Sequence, residues 1–200
     1  MNDATPIRYV DMAAQFAEQR DEIMARIEAV LAEGKLVGGP DIELLEREIA
    51  GFCGVAHAVA LNSGTDALAL GMAALGIGEG DEVIVPPNSF IASAAAVATI
   101  GATPVFADVR DDLNIDPEKV ETALTPRTKA IMPVHLTGRI ADMAPLSDIA
   151  KRHDLLMIED ASQSFGSRYQ DRLAGSFGDI GCFSAHPLKN FNAAGDSGFL

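Results

Sequence analysis

The chain has 200 residues, of which 48% are hydrophobic and 22% are charged, and its formal net charge is −14. This length and composition are typical of one globular α/β domain and not of a disordered chain. The acidic charge argues against a nucleic-acid partner, because affinity for a phosphate backbone comes largely from clustered Lys and Arg.

Residues 1–54 are predicted to be an N-terminal helical segment. Helical patterns run from Met12 to Leu31 and from Ile42 to Phe52, and the Gly-rich turn from Gly34 to Pro40 separates them. We expect Asp41 to cap the second helix. The first residues lack the basic and apolar stretches of a secretory signal, so we expect a cytoplasmic protein.

Residues 55–200 alternate short apolar runs with helical patterns, which is the signature of βαβ units. We therefore predict a three-layer α/β/α domain with a mostly parallel central sheet, whose strands are apolar on both faces. The predicted strands are Ala56–Leu61, Glu82–Val85, Thr103–Ala107, Ala130–Val134, Leu155–Glu159 and Ile180–Ser184. The predicted helices are Asp66–Leu75, Ile91–Ile100, Pro117–Leu124 and Met143–His153.

Neither a membrane span nor a metal site is expected. The window from Asn88 to Ala107 has no charged residue, but Gly101 and Pro104 lie within it, and we interpret it as a buried helix, a turn and a strand. Cys53 and Cys182 are the only cysteines and are expected to be reduced. The histidines show no metal-ligand spacing with them, which argues against zinc.

Lys189 is the lysine for which the pattern offers the weakest structural explanation. It follows the apolar run Ile180 to Ser184 and precedes a stretch predicted to be flexible, whereas the other four lysines fall in a loop, on polar helix faces or at a strand start. A neutral lysine amine can attack an aldehyde, and partial burial favours the neutral form. A surface lysine is the alternative.

Two further motifs lie at predicted strand ends. In the first, Ser63, Gly64 and Thr65 join a strand to a helix, where backbone N–H groups and hydroxyls can cradle a phosphate; the alternative is an ordinary turn with a helix cap. The second is the pair Glu159 and Asp160, since a carboxylate at a strand end can keep a pyridine nitrogen protonated.

Only one of the two acids should face a ligand, because side chains alternate along a strand. We favour Asp160, with capping of a helix from Ala161 to Phe165 as the alternative. The phosphate cradle, the acid and the amine follow one another in the order that a domain binding pyridoxal 5′-phosphate (PLP) requires. Ser184 is placed to bond the phosphate, and Phe90 either stacks on the ring or belongs to the core.

These motifs resemble those of the DegT/DnrJ/EryC1/StrS sugar aminotransferases, which have the fold type I PLP architecture. The resemblance covers nearly the whole chain and is carried by Gly39-Pro40, Asn62 to Leu68, Gly80 to Pro86, Pro133 to Gly138, Ile158 to Gln163 and Phe183 to Lys189. It implies catalytic roles for Lys189 and Asp160. It further implies a contact of Gln163 with the 3′ oxygen of the cofactor, stacking of Phe90, and phosphate binding by Ser63, Gly64, Thr65 and Ser184.

The resemblance implies transfer of an amino group, with glutamate as the expected donor, to a nucleotide-linked keto sugar by a homodimer. One alternative is a PLP-dependent sugar dehydratase of the same fold, although such enzymes carry histidine where this chain has Lys189. Gly198 to Leu200 looks like the start of a strand, and we expect that a C-terminal small domain is absent from this chain. A truncated, non-catalytic domain that binds a sugar nucleotide or a partner is therefore a second alternative. Thr137, Ala185 and Ser197 depart from the residues usual in the family.

Overall fold

The computed structural model describes residues 7–200. The chain divides after Leu44 into two compact units. In the first unit, α1 spans Met12–Glu33; the Asp11 side chain caps its start by accepting the N–H of Ala14, and Gly34 ends it at φ 69°. The division into an N-terminal segment and a large domain after residue 54 stays a prediction.

The second helix, α2, spans Pro40–Cys53, so both predicted N-terminal helices are present. The expected cap at Asp41 is wrong, because the helix begins at Pro40, two residues before the predicted start at Ile42. Proline suits the first turn since its missing N–H is not needed there and its φ is already helical. Asp41 instead lies within the first turn, where a negative charge is favourable to the helix dipole.

The remaining elements belong to the second unit, residues 45–200. Its helices are α3 (Gly64–Ala74), α4 (Ala92–Thr99), α5 (Pro117–Ala123) and α6 (Met143–His153). Its strands are β1 (Ala60–Leu61), β2 (Glu82–Val85), β3 (Thr103–Phe106), β4 (Thr128–Ile131), β5 (Leu156–Asp160), β6 (Arg168–Tyr169), β7 (Arg172–Leu173), β8 (Ile180–Ser184) and β9 (Gly198–Phe199).

Seven strands form one sheet in the order β1-β9-β8-β5-β4-β2-β3. The pairs from β8 to β3 are all parallel, and β9 lies antiparallel between β8 and β1. The predicted mostly parallel α/β architecture is confirmed. Because β1, β2, β5 and β8 run in one direction, the loops after them emerge at the same edge of the sheet, where open α/β sheets place ligands.

The core lies on both faces of the sheet, which gives the three layers. Val83 and Ile84 are adjacent in β2 and fully buried, yet they belong to different apolar clusters. Val83 packs with residues of α3 and α4, and Ile84 packs with residues of α5 and α6. This alternation is what a strand covered by helices on both faces requires.

Two features of the sheet differ from the sequence prediction. Strand β3 is an edge strand, and Phe106 at its end is 57% exposed, so the expectation of burial on both faces is wrong there. Pro104 explains the position, because proline cannot donate to a ladder and is tolerated at an edge. The short hairpin of β6 and β7 was not predicted, since its turn uses Gln170 at φ 49° and not glycine.

The charge-free window from Asn88 to Ala107 contains α4, a turn and β3. Within residues 7–200 no helix combines the length and apolarity needed to cross a membrane.

A buried carboxylate ties β5 to the loop that precedes β8. Glu159 is 0% exposed, and its oxygens accept the N–H groups of Gly175 at 2.8 Å, Phe177 at 2.6 Å and Gly178 at 2.7 Å. The His135 ring nitrogen Nε2 lies 3.0 Å from Glu159 Oε2. Since His135 Nδ1 accepts the N–H of Ala141, Nε2 carries the proton and donates to the carboxylate.

We predict that Glu159→Gln lowers the free energy of unfolding by about 3 kcal/mol, because one amide N–H₂ would face backbone donors instead of accepting from them. Urea unfolding measures the loss. The exposed Glu79 supplies the control: Glu79→Gln should change stability by less than about 0.5 kcal/mol. Equal midpoints for the two variants would contradict the assigned role of Glu159.

Candidate active site

A cavity of about 390 Å³ lies at the edge of the sheet where β1, β5 and β8 end. All eight residues predicted from the sequence line it, namely Ser63, Gly64, Thr65, Phe90, Asp160, Gln163, Ser184 and Lys189. Its other lining residues are Ser89, Ala92, Val134, Ser162, His186, Leu188 and Asp196. Segments more than a hundred residues apart in the chain therefore meet in one place.

The start of α3 forms one wall of the cavity. Ser63 is the N-cap, and its hydroxyl accepts the N–H of Asp66 at 3.0 Å while its carbonyl accepts that of Ala67. The N–H groups of Gly64 and Thr65 have no protein acceptor within residues 7–200, as is usual for the first turn of a helix. With the positive end of the helix dipole, they form an anion site.

Strand β8 closes this anion site from the opposite side. A Cβ placed on Gly64 would lie 2.6 Å from Ser184 Cβ, so only glycine permits this approach of α3 to β8. The Ser184 hydroxyl oxygen accepts the N–H of His186 at 3.3 Å, which leaves its O–H free to donate. Two backbone N–H groups and one hydroxyl thus converge where an oxyanion would bind.

Asp160 is the charged group on the floor of the cavity. It is 5% exposed, and its oxygens accept the hydroxyl of Ser93 at 2.7 Å and the N–H of Ser162 at 3.2 Å. None of the ion pairs among residues 7–200 involves Asp160. Buried carboxylates are ordinarily paired with a cation, so this one fits a cationic ligand. Glu159, the preceding residue, points away from the cavity toward Gly175.

Gln163 is held with a defined amide orientation. Its Oε1 accepts the N–H of Thr137 at 2.8 Å, and because an N–H donor requires an oxygen there, the amide N–H₂ group is left as a donor. Thr137 has φ 54° and ψ 24°, a left-handed conformation that is strained for a β-branched residue. The bond from Gln163 therefore stabilises a turn that sequence reasoning did not predict.

Lys189 follows β8 in a turn and is half-buried. Its backbone N–H donates to the carbonyl of His186 at 2.8 Å. Among residues 7–200 the Nζ amine has no carboxylate within ion-pair distance. Phe90, at the mouth, is 67% exposed. The cavity thus presents a lysine amine together with an aromatic face that has room for a ring.

Cys182 lies directly behind the site on β8 and is fully buried. Burial raises the pKa of its thiol, and the negative charges of Asp160 and Glu159 raise it further. The thiol donates to the carbonyl of Ala67 at 3.3 Å. It therefore stays neutral and acts as a core residue between α3 and β8.

A model of the DegT/DnrJ/EryC1/StrS aminotransferase family matches residues 17–200. The chain belongs to this family. It is 50% identical over 201 residues to the UDP-N-acetyl-3-dehydro-alpha-D-glucosamine 3-aminotransferase of Acidithiobacillus ferrooxidans, an alignment that covers 100% of this chain and 54% of that protein.

Solved structures of aminotransferases share the fold. DesV of S. venezuelae, in complex with a ketimine intermediate, matches with a TM-score of 0.95 and 45% identity over 98% of this chain and 53% of that chain. NtdA of Bacillus subtilis with bound cofactor PMP matches with a TM-score of 0.86 and 39% identity over 91% of this chain and 41% of that chain. The chain spans about half the length of the curated relatives it matches.

Sequence reasoning missed several residues that shape this family member's cavity. His186, Leu188 and Asp196 line it but carry no pattern that sets them apart. Ser93 is different: it is a polar residue in the otherwise small and apolar start of α4, and it is 1% exposed. A buried hydroxyl needs a partner, so this position could have been flagged, although its partner lies 67 residues away.

We predict that Gly64→Ala destabilises the protein by about 2 kcal/mol, because the added methyl overlaps Ser184 and overpacking has costs of this size. Gly195→Ala is the matched control, since no atom of the described part of the chain lies within 4 Å of a Cβ there. Urea unfolding compares them. Adding Ser184→Gly to Gly64→Ala should recover part of the loss. If Gly64→Ala proves as stable as Gly195→Ala, the close approach is not as described.

Proposed function

We propose that the protein is a PLP-dependent sugar aminotransferase that moves an amino group from an amino acid, glutamate, to a nucleotide-linked keto sugar. The observation that carries the proposal is one cavity that holds a lysine amine, a buried carboxylate and an anion site at a helix start, with neither the amine nor the carboxylate ion-paired to any of residues 7–200. Structures of family members with a ketimine intermediate and with PMP support the cofactor.

Each part of PLP finds a chemically matched group. The N–H groups of Gly64 and Thr65, with the hydroxyls of Ser63, Thr65 and Ser184, suit the phosphate. Asp160 suits the ring nitrogen, because a nearby negative charge favours its protonated form. The donor amide of Gln163 suits the 3′ oxygen, and Phe90 is placed to stack on the ring.

When bound, PLP supplies an electron sink that makes the α-hydrogen of an amino acid acidic. With the cofactor bound, the Lys189 amine would hold its aldehyde and, once released by the amino donor, would accept the proton from the amino acid α-carbon and donate it back on the cofactor side. The Asp160 carboxylate would hold the ring nitrogen in its protonated form. Water would release the donor as a 2-oxo acid, and a keto sugar taken through the same proton transfers in reverse, with loss of water, would receive the amine.

The acceptor class is supported by the relatives, since one of them is named for a UDP-linked 3-keto sugar. A dehydratase of the same fold is disfavoured, because Lys189 stands where such enzymes carry histidine. A panel of nucleotide-linked keto sugars, assayed with glutamate for 2-oxoglutarate release, tests the acceptor. Absence of any acceptor-dependent turnover would contradict it.

We further propose that the protein acts as a homodimer. Phe90, Ile91 and Leu188 beside the cavity are 67%, 70% and 61% exposed, and apolar groups grouped at a cavity mouth are typical of a surface that another chain covers. Sedimentation equilibrium at micromolar concentration tests this, and a monomer would contradict it.

Incubation with micromolar PLP followed by borohydride should attach the cofactor to Lys189, because reduction fixes the bond between its amine and the aldehyde. Mass spectrometry of peptides locates the adduct. Lys189→Met should lose it, whereas Lys129→Met, at an exposed lysine of β4, should keep it. Labelling spread evenly over exposed lysines would contradict the assignment of Lys189 as the residue that binds the cofactor.

Asp160→Ala should keep the labelling of Lys189 yet slow the release of 2-oxoglutarate from glutamate by at least about a hundredfold, because the ring nitrogen loses the charge that keeps it protonated. Stopped-flow absorbance of the loaded protein gives the rate. Asp111→Ala, at an exposed acid, is the control. Unimpaired release in Asp160→Ala would show that another carboxylate has this role.

A further inference from the structure

The carboxylate of Asp160 is held by a chain of two serine hydroxyls from the α4 region. Ser93 Oγ donates to Asp160 Oδ2 at 2.7 Å, and Ser89 Oγ lies 2.7 Å from Ser93 Oγ. A serine hydroxyl has one hydrogen. Because Ser93 gives its hydrogen to Asp160, Ser89 must be the donor in the second bond. The chain therefore runs in one direction, from Ser89 through Ser93 to Asp160.

This arrangement is not the usual one for serine in a helix. Such hydroxyls commonly bond to a backbone carbonyl one turn earlier, but Ser93 reaches a side chain on another element, and it is 1% exposed. The other residues of α4 are Ala92, Ala94, Ala95, Ala96, Val97, Ala98 and Thr99. The hydroxyl of Ser93 is thus the polar group that α4 directs at the cavity floor.

The backbone and the other oxygen of Asp160 are fixed as well. Its N–H donates to the carbonyl of Pro133 at 2.9 Å, its carbonyl accepts from His135 at 3.0 Å, and Oδ1 accepts from Ser162. Ser93 removes the remaining freedom, which is rotation of the carboxylate about its own axis.

We infer that Ser93, supported by Ser89, is a positioning residue that orients the Asp160 carboxylate toward the cofactor ring nitrogen, where its negative charge favours a protonated ring. The inference rests on the proposed cofactor. Without Ser93, the Asp160 carboxylate is free to turn away from the ring. Ser93 does not touch the ring; it acts through Asp160.

The test uses the purified protein loaded with PLP that carries ¹⁵N at the ring nitrogen. The ¹⁵N chemical shift separates protonated from unprotonated pyridine, and equilibrium dialysis gives the dissociation constant of PLP. Ser93→Ala should move the shift toward the unprotonated position and weaken PLP binding on the order of tenfold, the usual size for a hydrogen bond to a charged group. Ser89→Ala should change the ¹⁵N chemical shift and the dissociation constant of PLP in the same directions, by smaller amounts.

Thr99→Val is the control, because its exposed hydroxyl on the same helix bonds only to the carbonyl of Ala95; both readouts should match the wild type. Asp160→Asn, which lacks the carboxylate, gives the ¹⁵N chemical shift expected for an unprotonated ring nitrogen. If Ser93→Ala folds poorly, Ser89→Ala decides the matter.

The outcomes separate the two proposals. A wild-type protein that binds no PLP overturns both the proposed function and this inference. A wild-type protein that binds PLP with a protonated ring, alongside serine variants with unchanged shift and affinity, overturns the serine chain alone and leaves the proposed function standing.

Discussion

The site depends on the opposite directions of two neighbouring carboxylates at the end of β5. Side chains alternate along a strand, so Glu159 and Asp160 cannot face the same side. Glu159 is buried among four donors behind the sheet edge, and Asp160 lies on the cavity floor. The first acid fixes the loop that leads into β8, and β8 in turn carries Ser184 and leads to Lys189. One acid thus positions the groups with which the other is proposed to work.

Local charge at the cavity differs from the charge of the whole chain. The net charge is −14, which by itself would repel a cofactor phosphate or a nucleotide diphosphate. At the cavity, the start of α3 supplies free N–H groups and Lys189 supplies an amine. The contact between Gly64 and Ser184 brings these groups within the span of one ligand, so the anion site is a product of backbone packing more than of basic residues.

Much of this arrangement could be predicted from sequence because parallel strands end at a common edge. Placing Ser63, Asp160 and Ser184 at strand ends was enough to bring them together.

Contacts between distant segments could not be predicted from the sequence. No residue near Ser93 in the chain indicates that Asp160 is its partner, and no residue near Gly175 indicates Glu159. The glycine-rich run from Gly175 supplies N–H donors to Glu159 only in the folded chain. The cap was wrongly predicted at Asp41 because the helix begins at Pro40. Burial of β3 on both faces was wrongly predicted because its edge position depends on how the strands pair.

The most direct measurement is a crystal structure of the protein grown with pyridoxamine 5′-phosphate, the amine form of the cofactor, which needs no bond to lysine. The phosphate is expected against the N–H groups of Gly64 and Thr65 and the Ser184 hydroxyl, with the ring nitrogen within hydrogen-bond distance of Asp160. A phosphate bound elsewhere, or a ring whose nitrogen faces away from Asp160, would contradict the proposed site.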